Sequence, residues 1–320
     1  MKKIPICLVV DDSAPVVSVS YHANRFLPDG REKIEHFPNA LLYKFCDLTE
    51  LFGVKGKFSV VPMPAGQGDI VSGISSAPAQ EVADWLDTVR KRLSLRFSIC
   101  PEMLTHGNAY DIVNGKMTDI REDEWSFLQN RESLTPYITK ALKLVRDAGF
   151  SPLGVTSPWD FGKTVEDAYV RAISDSVYEV TDSVKGWYFL HCVRNTANVR
   201  PWIALSDGDR RLVSIPVTTR DHIWTTLDST RCDTEFISTL ADGYITDDGS
   251  DGEIVCVINS GGYPTMLTHW QSLMSNGTGT GLEVLRVVLE RIEKHLSDRV
   301  VWMSFDEIMH LVIDSENGNN

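Results

Sequence analysis

The chain has 320 residues, 42% of them hydrophobic, and a formal net charge of -13. That acidity argues against a nucleic-acid backbone as partner, because phosphate binding needs a basic face. Apolar runs stop far short of the roughly 20 residues a membrane span requires.

The opening "MKKIPICLVVDD" places two lysines before an apolar stretch, but carboxylates follow where small cleavage-site residues would stand in a signal peptide. It reads as a first strand of a cytoplasmic protein. Further apolar runs follow at 56–63, 95–100, 152–157, 186–193, 211–217, 253–260 and 299–304. Between them, segments 39–53, 79–93, 134–150 and 280–298 repeat apolar residues at helical spacing. Thr135-Pro136 reads as a cap and first-turn proline, and Gly149 as the stop. The cysteines, Cys7, Cys46, Cys100, Cys192, Cys232 and Cys256, form no CxxC pair, so buried reduced thiols are expected.

Near-continuous apolar strands imply burial on both faces, and their alternation with helices implies a parallel sheet. About eight strands and six or seven helices fit an α/β fold of one domain, a distorted or incomplete (β/α) barrel over residues 1–313. A doubly wound open sheet is the alternative. The tail, 314–320, reads as disordered.

In such folds chemistry gathers at the carboxyl ends of the strands. Asp11 and Asp12 follow the first strand, and Glu102, His106 and Asp111 follow the run at 95–100. Trp159 and Asp160 come after 152–157, and Arg220, Asp221, His222 and Trp224 after 211–217. His269, Trp270 and Gln271 follow the run at 253–260. Asp, His and Trp converging on one rim suit a metal-assisted or carbohydrate-handling site.

Those residues also carry a resemblance. "VVDDS", "THGNAYD", "TSPWDFG" and "MLTHWQSL" resemble motifs of the polysaccharide deacetylase family of carbohydrate esterases. The resemblance implies a distorted (β/α) barrel and a divalent metal, usually zinc. It also implies Asp11 as catalytic base, Asp12 and His106 as metal ligands and His269 as acid. Trp159, Asp160, Trp224 and Trp270 would meet a sugar or related small-molecule substrate.

Two positions depart from the family pattern. Tyr110 stands where a second metal-binding histidine belongs, and Ser157 precedes Pro158 where an arginine is usual. Asp111, His22 or His222 could supply the third ligand, and the sequence does not choose among them. The expected function is removal of an acyl group from an amino sugar or related carbohydrate. Two alternatives stay open: a metal-free glycoside hydrolase using Asp11 with Asp160 or Asp221, and a non-catalytic carbohydrate-binding barrel. Oligomeric state is not readable.

Overall fold

Strand β1 (Ile4–Ser13) alternates its side chains between two environments. Ile6, Leu8 and Val10 enter one hydrophobic core, whereas Cys7 and Val9 enter another. The first core lies under helices α1 (Asn39–Leu51), α2 (Ala79–Thr88) and α9 (Thr280–Leu296); the second is the interior of the barrel. This is a computed structural model, describing residues 3–16, 26–27, 29–190 and 197–317.

On one side β1 pairs in parallel with β2 (Gly56–Val60), which pairs in parallel with β3 (Phe97–Pro101). On its other side β1 meets β11 (Val300–Trp302) along its first half and β10 (Thr265–His269) along its second. A second sheet holds β6 (Gly154–Ser157), β7 (Lys185–Leu190) and β9 (Arg210–Ser214) in parallel. Strand β8 (Trp202–Asp207) lies antiparallel at its outer edge. Among the described residues, a parallel bridge from Glu102, just past β3, to Thr156 within β6 joins the two sheets.

Among the described residues the barrel is therefore incomplete, and the ladder does not close on the far side. There Thr218 Oγ1 accepts from the Thr265 amide at 2.8 Å, and Thr219 Oγ1 accepts from the Leu267 amide at 3.1 Å. Thr265 Oγ1 donates in turn to the Pro216 carbonyl at 2.6 Å. Hydroxyls take the place of a backbone ladder along this seam.

Helices α4 (Arg131–Asp147) and α5 (Glu166–Thr181) cover the second sheet, with Tyr137, Ile138, Tyr169 and Ile173 buried beneath them. Helix α4 begins before the expected Thr135: Asn130 and Ser133 form a capping box, leaving Pro136 inside the helix. The apolar run at 253–260 is also corrected. It forms helix α7 (Glu253–Asn259), whose buried Ile254, Val255, Val257 and Ile258 follow helical spacing. The strand before His269 is β10 instead. A hairpin absent from the expectation, β4 (Asn108–Asp111) with β5 (Lys116–Arg121), precedes the short helix α3 (Glu122–Ser126). Helix α6 spans Thr234–Asp242, and α8 spans Trp270–Met274.

The final helix, α10, runs Phe305–Asn317, past the boundary expected at 313. No helix among the described residues is long and apolar enough to cross a membrane. Cys7, Cys46 and Cys100 are buried free thiols, while Cys232 and Cys256 are exposed.

Candidate metal centre and acid–base site

The alternation along the strands places polar side chains on the barrel's inner face. Asp11 continues the face of Cys7 and Val9; Lys57 stands opposite to Phe58 on β2; Glu102 continues Cys100. His269 ends β10 two residues beyond inward-facing Leu267 and is the register partner of Asp11.

Asp12 should point outward by the same alternation. It does not, because the pairing of β1 with β2 shifts register between Val10 and Ser13, and Asp12 takes a left-handed φ of 62°. Its carboxylate reaches His106 Nε2 at 2.8 Å. The bulge is what lets two adjacent aspartates serve one site.

Asp12, Glu102 and His106 are all buried, and one donor atom from each lies within 4.8 Å of the others. His106 Nε2 is 3.7 Å from Glu102 Oε1, while Glu102 Oε2 accepts from the Asp12 amide and the Ser59 hydroxyl. Met103, His106 and Trp159 join Asp12 at positive φ (33°, 47° and 47°). Such conformations cost of order 1–3 kcal/mol each and cluster where a site holds its groups against local preference.

Glu122 holds the His106 loop in place. Its carboxylate accepts the amides of Leu104 (3.0 Å), Thr105 (3.0 Å) and His106 (2.9 Å), and the Tyr137 hydroxyl at 2.6 Å.

Electrostatics mark the cluster as short of positive charge. Burial, and then Asp12 and Asp11 beside it, push the Glu102 carboxyl well above its ordinary value. Burial also opposes the charged forms of Asp12 and His106, but their mutual attraction prevails. Asp12 is held below the ordinary carboxylate range and His106 is raised to about 10. In the protein alone, a proton on His106 balances Asp12. A divalent cation would do so more fully, and one imidazole with two carboxylates is a donor set that can hold it, with further positions left for water or substrate.

Two ion pairs flank the cluster. Lys57 Nζ, fully buried, contacts Asp11 Oδ1 closely, donates to Thr156 Oγ1 at 2.7 Å and stands 4.6 Å from the Phe189 ring centroid. On the other side, His269 Nδ1 is 2.8 Å from Asp221 Oδ2, which also accepts from Ser272 Oγ at 2.7 Å. Burial opposes the His269 cation, but the Asp221 hydrogen bond and the charges of Asp12, Asp221 and Asp11 favour it, raising its pKa to about 9.

The substrate residues divide. The Trp159 ring lies 4.4 Å from His106, with the Arg121 guanidinium 5.1 Å from its centroid. Trp224 meets His269 edge-on at 4.9 Å. Both are half-buried at the site. Asp160 lies beside Trp159 in the chain, is 40% exposed and pairs with Lys163 at 3.2 Å. Trp270 is corrected: it is fully buried in the core against Phe37, Phe45 and Phe58, with no face available to a sugar.

Two of the expected third ligands stand elsewhere. Asp111 caps its hairpin turn, accepting from the amides of Val113 and Asn114, each at 3.0 Å. His222 Nε2 is 3.1 Å from Glu253 and its ring packs against Tyr244. His22 lies outside the described residues. Tyr110 turns its ring toward the Lys140 ammonium, at 5.5 Å. The third member of the candidate donor cluster is Glu102, four residues before His106 rather than after it. It was visible among the strand-end residues, and Lys57 was visible as a lone cation within the apolar run "GKFSVV". Glu122 carried no local signal, because its partners are backbone amides that only the folded loop brings together.

The Glu253 pair makes a testable contribution. Burial opposes its ionisation, but the close His222 ring and hydrogen bonds from Arg220 hold its pKa at about 2, against an ordinary 4.5. Since the folded value lies below the unfolded one, the stabilisation is full above the unfolded pKa and fades as pH falls toward the folded one. At a quarter exposure it is worth on the order of 1–3 kcal/mol. Glu253→Gln should therefore lower urea-unfolding stability near pH 6 and do so less near about pH 3.5. An equal loss at both pH values would refute this.

No protein-family model matches the chain, and no curated protein matches it. Among solved structures, it is similar to one described as a putative polysaccharide deacetylase from Mycobacterium smegmatis. That match has a TM-score of 0.48 and 16% identity, covering 86% of this chain and 78% of that one. It is also similar to 4-alpha-glucanotransferase from Thermococcus litoralis, with a TM-score of 0.45 and 14% identity over 97% of this chain and 40% of that one. At these scores neither likeness bears on what the site does.

Proposed function

We propose that the chain is a divalent-metal-dependent hydrolase that removes an acyl group from an amino sugar or a related small carbohydrate. The observation that carries this reading is the buried Asp12–Glu102–His106 donor set, with Asp11 and its register partner His269, itself paired with Asp221, on the adjoining strands.

Asp12, Glu102 and His106 would hold the ion. A divalent cation bound there lowers the pKa of water and polarises a carbonyl oxygen. Asp11, held through Oδ1 by Lys57, keeps Oδ2 without a hydrogen-bond partner. That oxygen takes the proton of the attacking water. His269 gives a proton to the departing amine or alkoxide, and Asp221 fixes the orientation of the ring through Nδ1. Trp159 and Trp224 offer faces against which a sugar ring can stack. A metal-free glycosidase is less well supported, because Asp221 is committed to His269 and Asp160 stands 40% exposed beside Lys163.

Elemental analysis of the purified protein, followed by an acetate-release assay on N-acetylated chito-oligosaccharides, tests the proposal. One divalent ion per chain is expected, with kcat reduced about 10²–10⁴-fold in Asp11→Asn and in His269→Ala. A protein that binds no divalent ion even after incubation with excess zinc, cobalt or manganese would overturn it.

A further inference from the structure

Asp11 adjoins a metal ligand in sequence and lies on the same inner face, yet it does not belong to the donor cluster. The reason is on β2. Lys57 is a lysine with 0% side-chain exposure, and its ammonium is spent on Asp11 Oδ1 and Thr156 Oγ1. Burying an ammonium is expensive unless it is paired and hydrogen-bonded. A purely structural role would be met as well by an apolar residue on this strand, since Cys7, Val9, Cys100 and Phe189 supply an apolar interior below it.

We propose that Lys57 is a positioning residue that holds Asp11 out of the metal shell, so that Asp11 acts as a base and not as a further ligand. This rests on the metal reading above. Charge supports it: a dication and the Lys57 ammonium together balance Asp11, Asp12 and Glu102, so the site is neutral when loaded and Asp11 has no unmet attraction to the ion. Geometry supports it as well. The tether uses one carboxylate oxygen and leaves Oδ2, also buried, without a partner. Removing the ammonium would leave Asp11 as an uncompensated buried carboxylate beside a cation, and it would turn to that cation.

Cobalt(II) in place of the native ion reports this directly, because its visible absorption depends on the number and kind of ligands. The native protein, Asp11→Asn, Lys57→Met and the double variant are titrated with Co²⁺ alone. The expectation is that Asp11→Asn binds with the native stoichiometry and spectrum. Lys57→Met should show a weaker, shifted band, as a ligand is added, and about tenfold tighter binding. The double variant should return to the Asp11→Asn spectrum.

If Lys57→Met is unfolded without metal, its unfolding midpoint is read with Co²⁺ present. Recovery by Co²⁺ supports the proposal, and no recovery overturns it. An unchanged spectrum in folded Lys57→Met, or loss of Co²⁺ from Asp11→Asn, also overturns it while leaving the metal centre standing. A native protein that takes up no Co²⁺ overturns the metal reading itself.

Discussion

Glu102→Gln is expected to move metal affinity and metal-free stability in opposite directions. Affinity for a divalent ion should fall by at least about a hundredfold, or roughly 2.7 kcal/mol, because an amide oxygen carries no net charge to replace the lost carboxylate. The apo protein should be no less stable. Glutamine retains an acceptor for the Asp12 amide and the Ser59 hydroxyl. It also removes the carboxylate that burial, Asp12 and Asp11 already disfavour as a charge. Elemental analysis with isothermal titration, beside urea unfolding in chelator, reads both quantities. A Glu102→Gln protein that keeps its metal would remove Glu102 from the centre, and a large loss of apo stability would make its role structural.

Trp270→Ala is expected to lower folding stability by about 3–5 kcal/mol, the range for emptying a buried aromatic site. The indole makes edge-on contacts with Phe37, Phe45 and Phe58 at centroid distances of 6.2, 5.7 and 5.5 Å, in a close-packed interior where truncation leaves a cavity. Its Nε1 has no hydrogen-bond partner, so Trp270→Phe should cost much less. Denaturant unfolding of Trp270→Ala beside Trp224→Ala separates core from rim. Trp224, half-buried against His269, should give the smaller loss. Equal losses would contradict the placement of Trp270 in the core.

These two residues show how far the sequence could be read. The continuous apolar run of β1 and the polar residues after each strand end are legible, and they put Asp11, Asp12, His106 and His269 at one end of a parallel α/β fold. Glu102 is legible only as one strand-end carboxylate among several, because the spacing of the resembled motif points to a residue four after His106, whereas Glu102 lies four before it. Trp270 was misread because it follows His269 in the chain. A helix begins there, and turning about its axis sends neighbouring side chains to different faces. The run at 253–260 was misread for a related reason: a short apolar stretch serves a buried strand or a buried helix equally well. The bulge at Asp12 and the Glu122 cradle could not be read, since both depend on contacts between segments remote in sequence.

The threonine seam has a consequence for the mouth of the barrel. A backbone ladder resists sideways change because slipping by one residue turns every side chain to the wrong face. A hydroxyl link turns about a single bond and can follow a small displacement without letting go. Asp221 follows the seam segment directly, and His269 ends the strand across from it, so their hydrogen bond is itself one of the fastenings. The segment that bears Asp221 is thus the compliant one, while His269 is held by the parallel ladder of β10 to β1, and Glu102 follows a strand laddered to β2. A small displacement at the mouth would fall on the Asp221 side and leave the Asp12–Glu102–His106 donor set where it is.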